Sequence, residues 1–157
     1  MKKLLLVFLT LQIFVSITFA YPPWNIEKVG EVVTDWFTGV GVSGDYAYVT
    51  STYGLVIIDI ADKENPAVVN RVEINGISSS PEIRDTLLFI CDSYAGLKIF
   101  SIAEPDDPVF LSECSEASGA RRIKIRDNLA YLAASGLKVV DIEDPYNPVL
   151  IGELAVS

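Results

Sequence analysis

"GLVIIDIADKENPAVV" runs from Gly54 to Val69, and two near-echoes follow it: "GLKIFSIAEPDDPVFL" from Gly96 and "GLKVVDIEDPYNPVLI" from Gly136. Gly54, Gly96 and Gly136 are spaced by 42 and 40 residues, and so are Pro66, Pro108 and Pro148. Upstream of each phrase, "YAYVT" from Tyr46, "LLFIC" from Leu87 and "LAYLA" from Leu129 align at spacings of 41 and 42. A period near 41 belongs to propeller blades and to some helical arrays, whose units hide their apolar faces only by stacking on neighbours. Residue type decides between the two. Each unit carries runs of Val, Ile, Tyr and Phe bounded by Gly, Asp, Asn and Pro, the pattern of short strands. Beyond residue 20 no stretch sustains the i, i+3, i+4, i+7 apolar spacing of an amphipathic helix.

Four strands are expected in each unit, in the first at about 37–43, 46–51, 55–60 and 67–74. "SGD" at Ser43–Asp45 and "RDN" at Arg126–Asn128 are tight hairpin turns, since Gly, Asp and Asn tolerate positive φ. The third strand is nearly continuous in apolar residues ("LVIIDI", "LKIFSI", "LKVVDI"), which suits a sheet covered on both faces. A proline at the start of the fourth strand removes one N–H where an edge strand tolerates the loss. The acidic turn before it discourages edge-to-edge association. The expected fold is therefore all-β, a β-propeller of three four-stranded blades at about 37–75, 79–116 and 120–156.

These phrases resemble the LVIVD-repeat family of secreted or surface, propeller-type repeat proteins. Residues 44–76, 84–114 and 126–154 carry the likeness. The second unit departs from the pattern, with Ser101 where the others have Asp59 and Asp141, so that aspartate is expected to be structural and replaceable. The resemblance implies an exported bacterial or archaeal propeller; it implies no shared activity.

The chain of 157 residues is the length of about one domain, and half of its residues are hydrophobic. Part of that apolarity lies in "MKKLLLVFLTLQIFVSITFA", with Lys2 and Lys3, an apolar run from Leu4 to Phe19, and Ala20 before "YPPW". That is the pattern of a secretory signal peptide, residues 1–20, with the mature chain over 21–157. The run is shorter than the roughly 20 residues that span a bilayer, so no membrane insertion is expected after cleavage. Loss of Lys2 and Lys3 leaves 10 of the 12 basic residues against 21 acidic ones, a net charge of −11. Such a chain repels phosphate backbones, and nucleic acid is not an expected partner.

There is no histidine. The usual Ser-His-Asp and Cys-His catalytic sets and any histidine-ligated metal are thereby excluded. Cys91 and Cys114 are too few for a cysteine zinc site. They fall in the second and fourth strands of the second unit, roughly 10 Å apart across the third strand. Disulfides need closer Cα atoms, so free thiols are expected. Asp59, Asp62 and Glu64, or Glu104, Asp106 and Asp107, are conceivable acid–base pairs or Ca²⁺ ligands. They recur with the repeat and are read as solvated turn acids. No catalytic residue, metal site or cofactor is assigned.

"NIEKVGEVV" from Asn25 parallels "NPVLIGELA" from Asn147 at a distance of 122 residues, three periods. Residues of about 25–34 thus read as a lone outer strand. Three blades are too few for a ring, which typically uses 4–8. Two copies would supply six blades but leave a surplus edge strand on each. The expectation is instead the N-terminal part of a longer chain that supplies the remaining blades.

Non-repeating residues are the better functional candidates, because the blade does not demand them. In a propeller the loops between second and third strands share one end with the loops that enter each new blade. That end holds Trp36, Tyr53, Asp92, Tyr94, Arg121 and Arg122. Aromatics beside Asp and Arg suit a sugar or a peptide. A plainer alternative has Tyr53 and Tyr94 covering hairpins, Trp36 capping the core and both arginines beginning a strand. The functional expectation is a non-enzymatic exported module that binds protein or glycan. One alternative is a glycan hydrolase or lyase with its site in other blades; another is a spacer in a larger surface protein.

Overall fold

The computed structural model describes residues 37–52, 54–74 and 78–155. The signal peptide expected at residues 1–20 and the lone strand expected at about 25–34 lie outside the described residues, as do Trp36 and Tyr53. Twelve strands are present among the described residues. The first sheet consists of β1 (Phe37–Ser43), β2 (Tyr46–Ser51), β3 (Gly54–Asp59) and β4 (Ala67–Glu73). The second has β5 (Ser78–Arg84), β6 (Leu87–Asp92), β7 (Gly96–Ser101) and β8 (Val109–Cys114). The third has β9 (Arg122–Arg126), β10 (Leu129–Ala133), β11 (Gly136–Asp141) and β12 (Val149–Ala155). Each sheet is an antiparallel meander in chain order. A short 3₁₀ turn, Ser115–Ala117, lies between the second and third sheets.

The first strands lie side by side, β1 against β5 and β5 against β9, so the sheets fan outward from a common inner edge. This is blade geometry, and the ring is open. Two apolar layers form between successive blades. Tyr48, Leu55, Ile57, Leu88, Ile90 and Phe100 fill the first. Phe89, Leu97, Ile99, Ile123, Leu132 and Val140 are among those that fill the second. Because side chains alternate across a strand, β7 sends Phe100 to one layer and Leu97 and Ile99 to the other. That is why the third strand of each unit is apolar almost throughout. A further cluster, Ala47, Val49, Val56 and Ile58, is buried on the other face of the first sheet.

The repeated glycines begin the third strands, where the hairpin passes tightly against the fourth. A Cβ on Gly54 would collide with the Val72 carbonyl oxygen, on Gly96 with that of Cys114, and on Gly136 with that of Leu154. Gly54 and Gly96 also take φ of 138° and 79°, which L side chains rarely adopt.

The acidic phrase does two jobs. Within its own blade, Asp59 Oδ1 accepts the Ala61 N–H at 2.8 Å, and Asp141 Oδ1 accepts that of Glu143 at 2.9 Å. Ser101 Oγ accepts the Ala103 N–H at 3.3 Å, so the serine substitutes for the aspartate as acceptor. Asp62 and Asp144 hold the next turn through Asn65 and Asn147. Those amide bonds first, and the N–H groups of Glu64 and Tyr146 next, hold both carboxyls below their ordinary range.

Between blades, the same loop docks onto the preceding sheet. Tyr48 Oη donates to Pro105 O at 2.8 Å, Asn70 Nδ2 to Asp106 O at 2.8 Å, and Ser112 Oγ to Pro145 O at 2.6 Å. Each donor from a fourth strand follows a β-bulge that leaves Val69, Leu111 or Ile151 unpaired. The bulge turns Asn70 and Ser112 toward the neighbouring blade, an effect bulges commonly have. At the third bulge the corresponding residue is Gly152, which carries no side chain to donate.

Cys91 of β6 pairs with Leu97 of β7, which pairs in turn with Cys114 of β8. The intervening strand separates the two thiols, and both are free and buried. Burial pushes the Cys91 thiol from its ordinary 9.0 to about 12, against the opposing field of Arg122. Burial likewise raises that of Cys114. Both thiols are expected to resist a disulfide reagent at pH 8 in the folded protein and to react at once in denaturant. Since the Cys91 pKa is higher folded than unfolded, its stabilisation is complete below pH 9 and is lost as pH rises toward 12. Over that window urea melts should show stability falling by up to about 1.4 kcal/mol per pH unit from this thiol.

Candidate functional site

Antiparallel meanders place three kinds of segment at one end of the inner edge: the start of each first strand, the loop entering each blade, and the loop joining second to third strands. At that end a cavity of about 580 Å³ opens, lined by Thr38, Ser79, Ser93, Tyr94, Arg121 and Arg122. It draws on all three blades. A second opening of about 300 Å³ shares Thr38 and Arg122 and continues along the inner strands past Pro81, Glu82 and Lys124.

The walls are held by bonds within the third blade and between it and the second. Ser79 Oγ of β5 donates to the Arg121 carbonyl at 2.9 Å, and the Arg121 N–H donates to Ala133 O at 2.8 Å. Arg122 Nη1 also donates to the Arg121 carbonyl, at 2.9 Å, which settles the path of that guanidinium along the wall. The Gly119 N–H donates to Ser93 O at 3.0 Å, tying the loop that enters the third blade to the hairpin that carries Tyr94. Lys138 fastens the same entering loop through Nζ bonds to Glu116 O at 2.7 Å and Ser118 O at 3.2 Å.

Of the six candidates from the sequence, the structure brings Tyr94, Arg121 and Arg122 together on one cavity. Asp92 does not line it. It is fully buried beneath the hairpin, where Oδ1 accepts the N–H groups of Tyr94 at 2.8 Å and Ala95 at 3.0 Å. Asp92 thus shapes the turn that presents Tyr94. Its Oδ2 and the neighbouring Ser93 Oγ are buried without a hydrogen-bond partner among the described residues. Tyr94 itself stands 73% exposed. Arg122 opens β9 and also lines the cavity, whereas Arg121 lines it from the loop just before that strand.

Thr38, Ser79 and Ser93 were not among the candidates. The first two had a usable signal: Thr38, Ser79 and Arg121 succeed one another at 41 and 42 residues, so the period that places Arg121 at this end places them too. Ser93 had none, because its hairpin carries one residue more than the corresponding turn before Gly54.

Charge is uneven around this end. Four of the 12 basic residues fall between 121 and 126, in a chain of net charge −9. Lys124 is held by Glu82 at 2.9 Å, and Arg126 lies 3.8 Å from Asp127. Among the described residues Arg121 and Arg122 have no carboxylate within ion-pair distance. No group of three or more Cys, Asp or Glu side chains among the described residues is arranged to hold a metal ion.

Three four-stranded meanders fanned about a shared inner edge define a β-propeller, and solved structures agree. The computationally designed Ika4 protein aligns with a TM-score of 0.59 at 15% identity, over 79% of this chain and 75% of that one. The β-propeller domain of Myceliophteria thermophila Cps50 (Swd1) aligns with a TM-score of 0.60 at 15% identity, over 75% of this chain and 42% of that one. The designed Ika8 protein aligns with a TM-score of 0.55 at 14% identity, and the match spans 35% of its length. At such identities the likeness concerns the fold alone. The LVIVD repeat model matches residues 38–73 and 118–156, the first and third units, so over those residues the chain is similar to LVIVD-repeat proteins. No curated protein matches the sequence.

Proposed function

We propose that this chain is an exported propeller module that uses the inner-edge cavity to bind a protein or glycan ligand, within a longer protein that supplies further blades. The observation that carries the binding role is the cavity itself. Residues from three blades converge there, and two arginines without acidic partners among the described residues stand beside an exposed tyrosine. Ligand sites are concave and combine apolar or aromatic walls with a few directed polar groups. The twenty N-terminal residues, with a basic start and an apolar run, support export.

The outer face of the third blade supports further blades. Leu55, Leu97 and Leu137 occupy the same place in successive units, yet they are 1%, 0% and 41% exposed. Tyr131 stands where Tyr48 donates to the next blade's loop, and it is only half-buried. A monomeric surface rarely leaves such a stripe uncovered.

The test of the binding role is a combined glycan and peptide array probed with the full chain and with Tyr94→Ala. Loss of at least about tenfold in binding to a retained ligand is expected, as removal of an aromatic stacking surface commonly gives. Unchanged binding by Tyr94→Ala would remove this cavity from consideration.

A further inference from the structure

We propose that the cavity recognises the carboxylate of an acidic sugar residue, a uronic or sialic type of group, an inference that rests on the binding role above. The cavity pairs a fixed cation with a stacking surface, and acidic sugars present both complements at once. Arg122 is anchored by one guanidinium N–H on the Arg121 carbonyl, so its remaining N–H groups are oriented with little left to order. A guanidinium offers five donors in a planar fork that matches a carboxylate in a two-point contact. Arg121 adds a second positive charge from the adjacent residue, and neither arginine is neutralised by an acidic side chain among the described residues.

Around this cation the polar lining is made of hydroxyls rather than of further charges: Thr38, Ser79 and Ser93. Ser93 Oγ is buried with no hydrogen-bond partner among the described residues, although it belongs to a residue that lines the cavity. Buried hydroxyls are nearly always satisfied, so this one is a polar group left uncompensated just behind the cavity wall. Tyr94, whose backbone N–H is held by the Asp92 carboxylate, offers an exposed ring at the rim. Ring stacking with hydroxyl-directed hydrogen bonds is the chemistry of sugar recognition, whereas an acidic peptide would use the cations and leave the hydroxyl lining and the ring without complement. A volume of about 580 Å³ lies in the range of small-ligand sites and suits one or two sugar units.

The excess acid elsewhere on the chain makes the local arrangement selective. With 21 acidic residues against 12 basic ones, the general surface repels a polyanion, while the two arginines at this end offset that repulsion locally. Binding is therefore expected to be local, stoichiometric and weakened by salt.

The experiment is a titration of the full chain with uronic- and sialic-acid oligosaccharides, their methyl-ester counterparts, sulfated sugars of matched size, and an oligoglutamate peptide. Binding of at least one acidic sugar is expected, weakened tenfold or more by esterification and by Arg122→Gln, and only partly restored in Arg122→Lys, which keeps charge without the fork. Unaltered melting temperatures of the two variants separate lost recognition from lost folding. Equal binding of the ester, or preference for the sulfated sugar or for oligoglutamate, overturns the carboxylate-sugar inference and leaves the binding role standing. Failure of every glycan and peptide on the array overturns both.

Discussion

Gly96→Ala is expected to destabilise the protein by about 3 kcal/mol or more, enough to lower a thermal midpoint by roughly 10 °C. Two separate penalties act at this position. Its φ of 79° is strained for any L side chain, and the added methyl would collide with the Cys114 carbonyl oxygen in the neighbouring strand. Relief cannot come from a rotamer change, because the obstructing atom is backbone. Movement of β8 would disturb Cys114, which packs in the layer between the second and third blades. By contrast Gly44, with a φ of 56° and open space around it, carries only the conformational penalty. Gly44→Ala should cost about 1 kcal/mol. A pair of melts distinguishes the two. Equal losses for both glycines would mean that close strand approach is not what the repeated glycine serves.

The second large effect separates equivalent residues by their surroundings. Leu97→Ala is expected to cost about 2–5 kcal/mol, because Leu97 is fully buried and its removal leaves a cavity in a layer shared with Ile99, Leu132 and Val140. Leu137→Ala, at the same place in the next unit, is expected to cost under about 1 kcal/mol, since its side chain is 41% exposed. Denaturant midpoints at unchanged slope would report both. In a longer chain with another blade against this face, Leu137→Ala should instead become as costly as Leu97→Ala. A small loss in that longer chain would refute the proposal that a blade docks there.

The sequence made the strands readable because a period of about 41 residues aligns hydrophobic runs, turn residues and prolines at once. Strand boundaries in the first unit come within a residue: β3 begins at Gly54 rather than 55 and ends at Asp59 rather than 60. Glycine and proline punctuate locally, and a local signal survives without knowledge of neighbours. The replaceability of Asp59 and Asp141 was legible for the same reason. Serine at position 101 supplies the same acceptor to the residue two places on.

The site was legible only in part. Tyr94, Arg121 and Arg122 were within reach because propeller topology dictates which loops share an end. Asp92 shows the limit of reasoning from non-repetition. It breaks the repeat not for a ligand but because its hairpin is one residue longer and needs a buried acceptor for two N–H groups. Nothing in the residue order distinguishes a side chain aimed at solvent from one folded beneath its own turn.

By itself the order of residues determined the four-stranded unit, its turns and its threefold recurrence, since each depends on contacts within some forty residues. It also determined that the two cysteines stay apart, because a strand always intervenes. Tertiary structure alone decided that the acidic phrase docks onto the blade before it, that bulges at Val69 and Leu111 aim Asn70 and Ser112 there, and that two arginines meet at a cavity shared by three blades. Those outcomes depend on how one sheet sits against another. Such geometry is set by packing across distant parts of the chain, which no local pattern encodes.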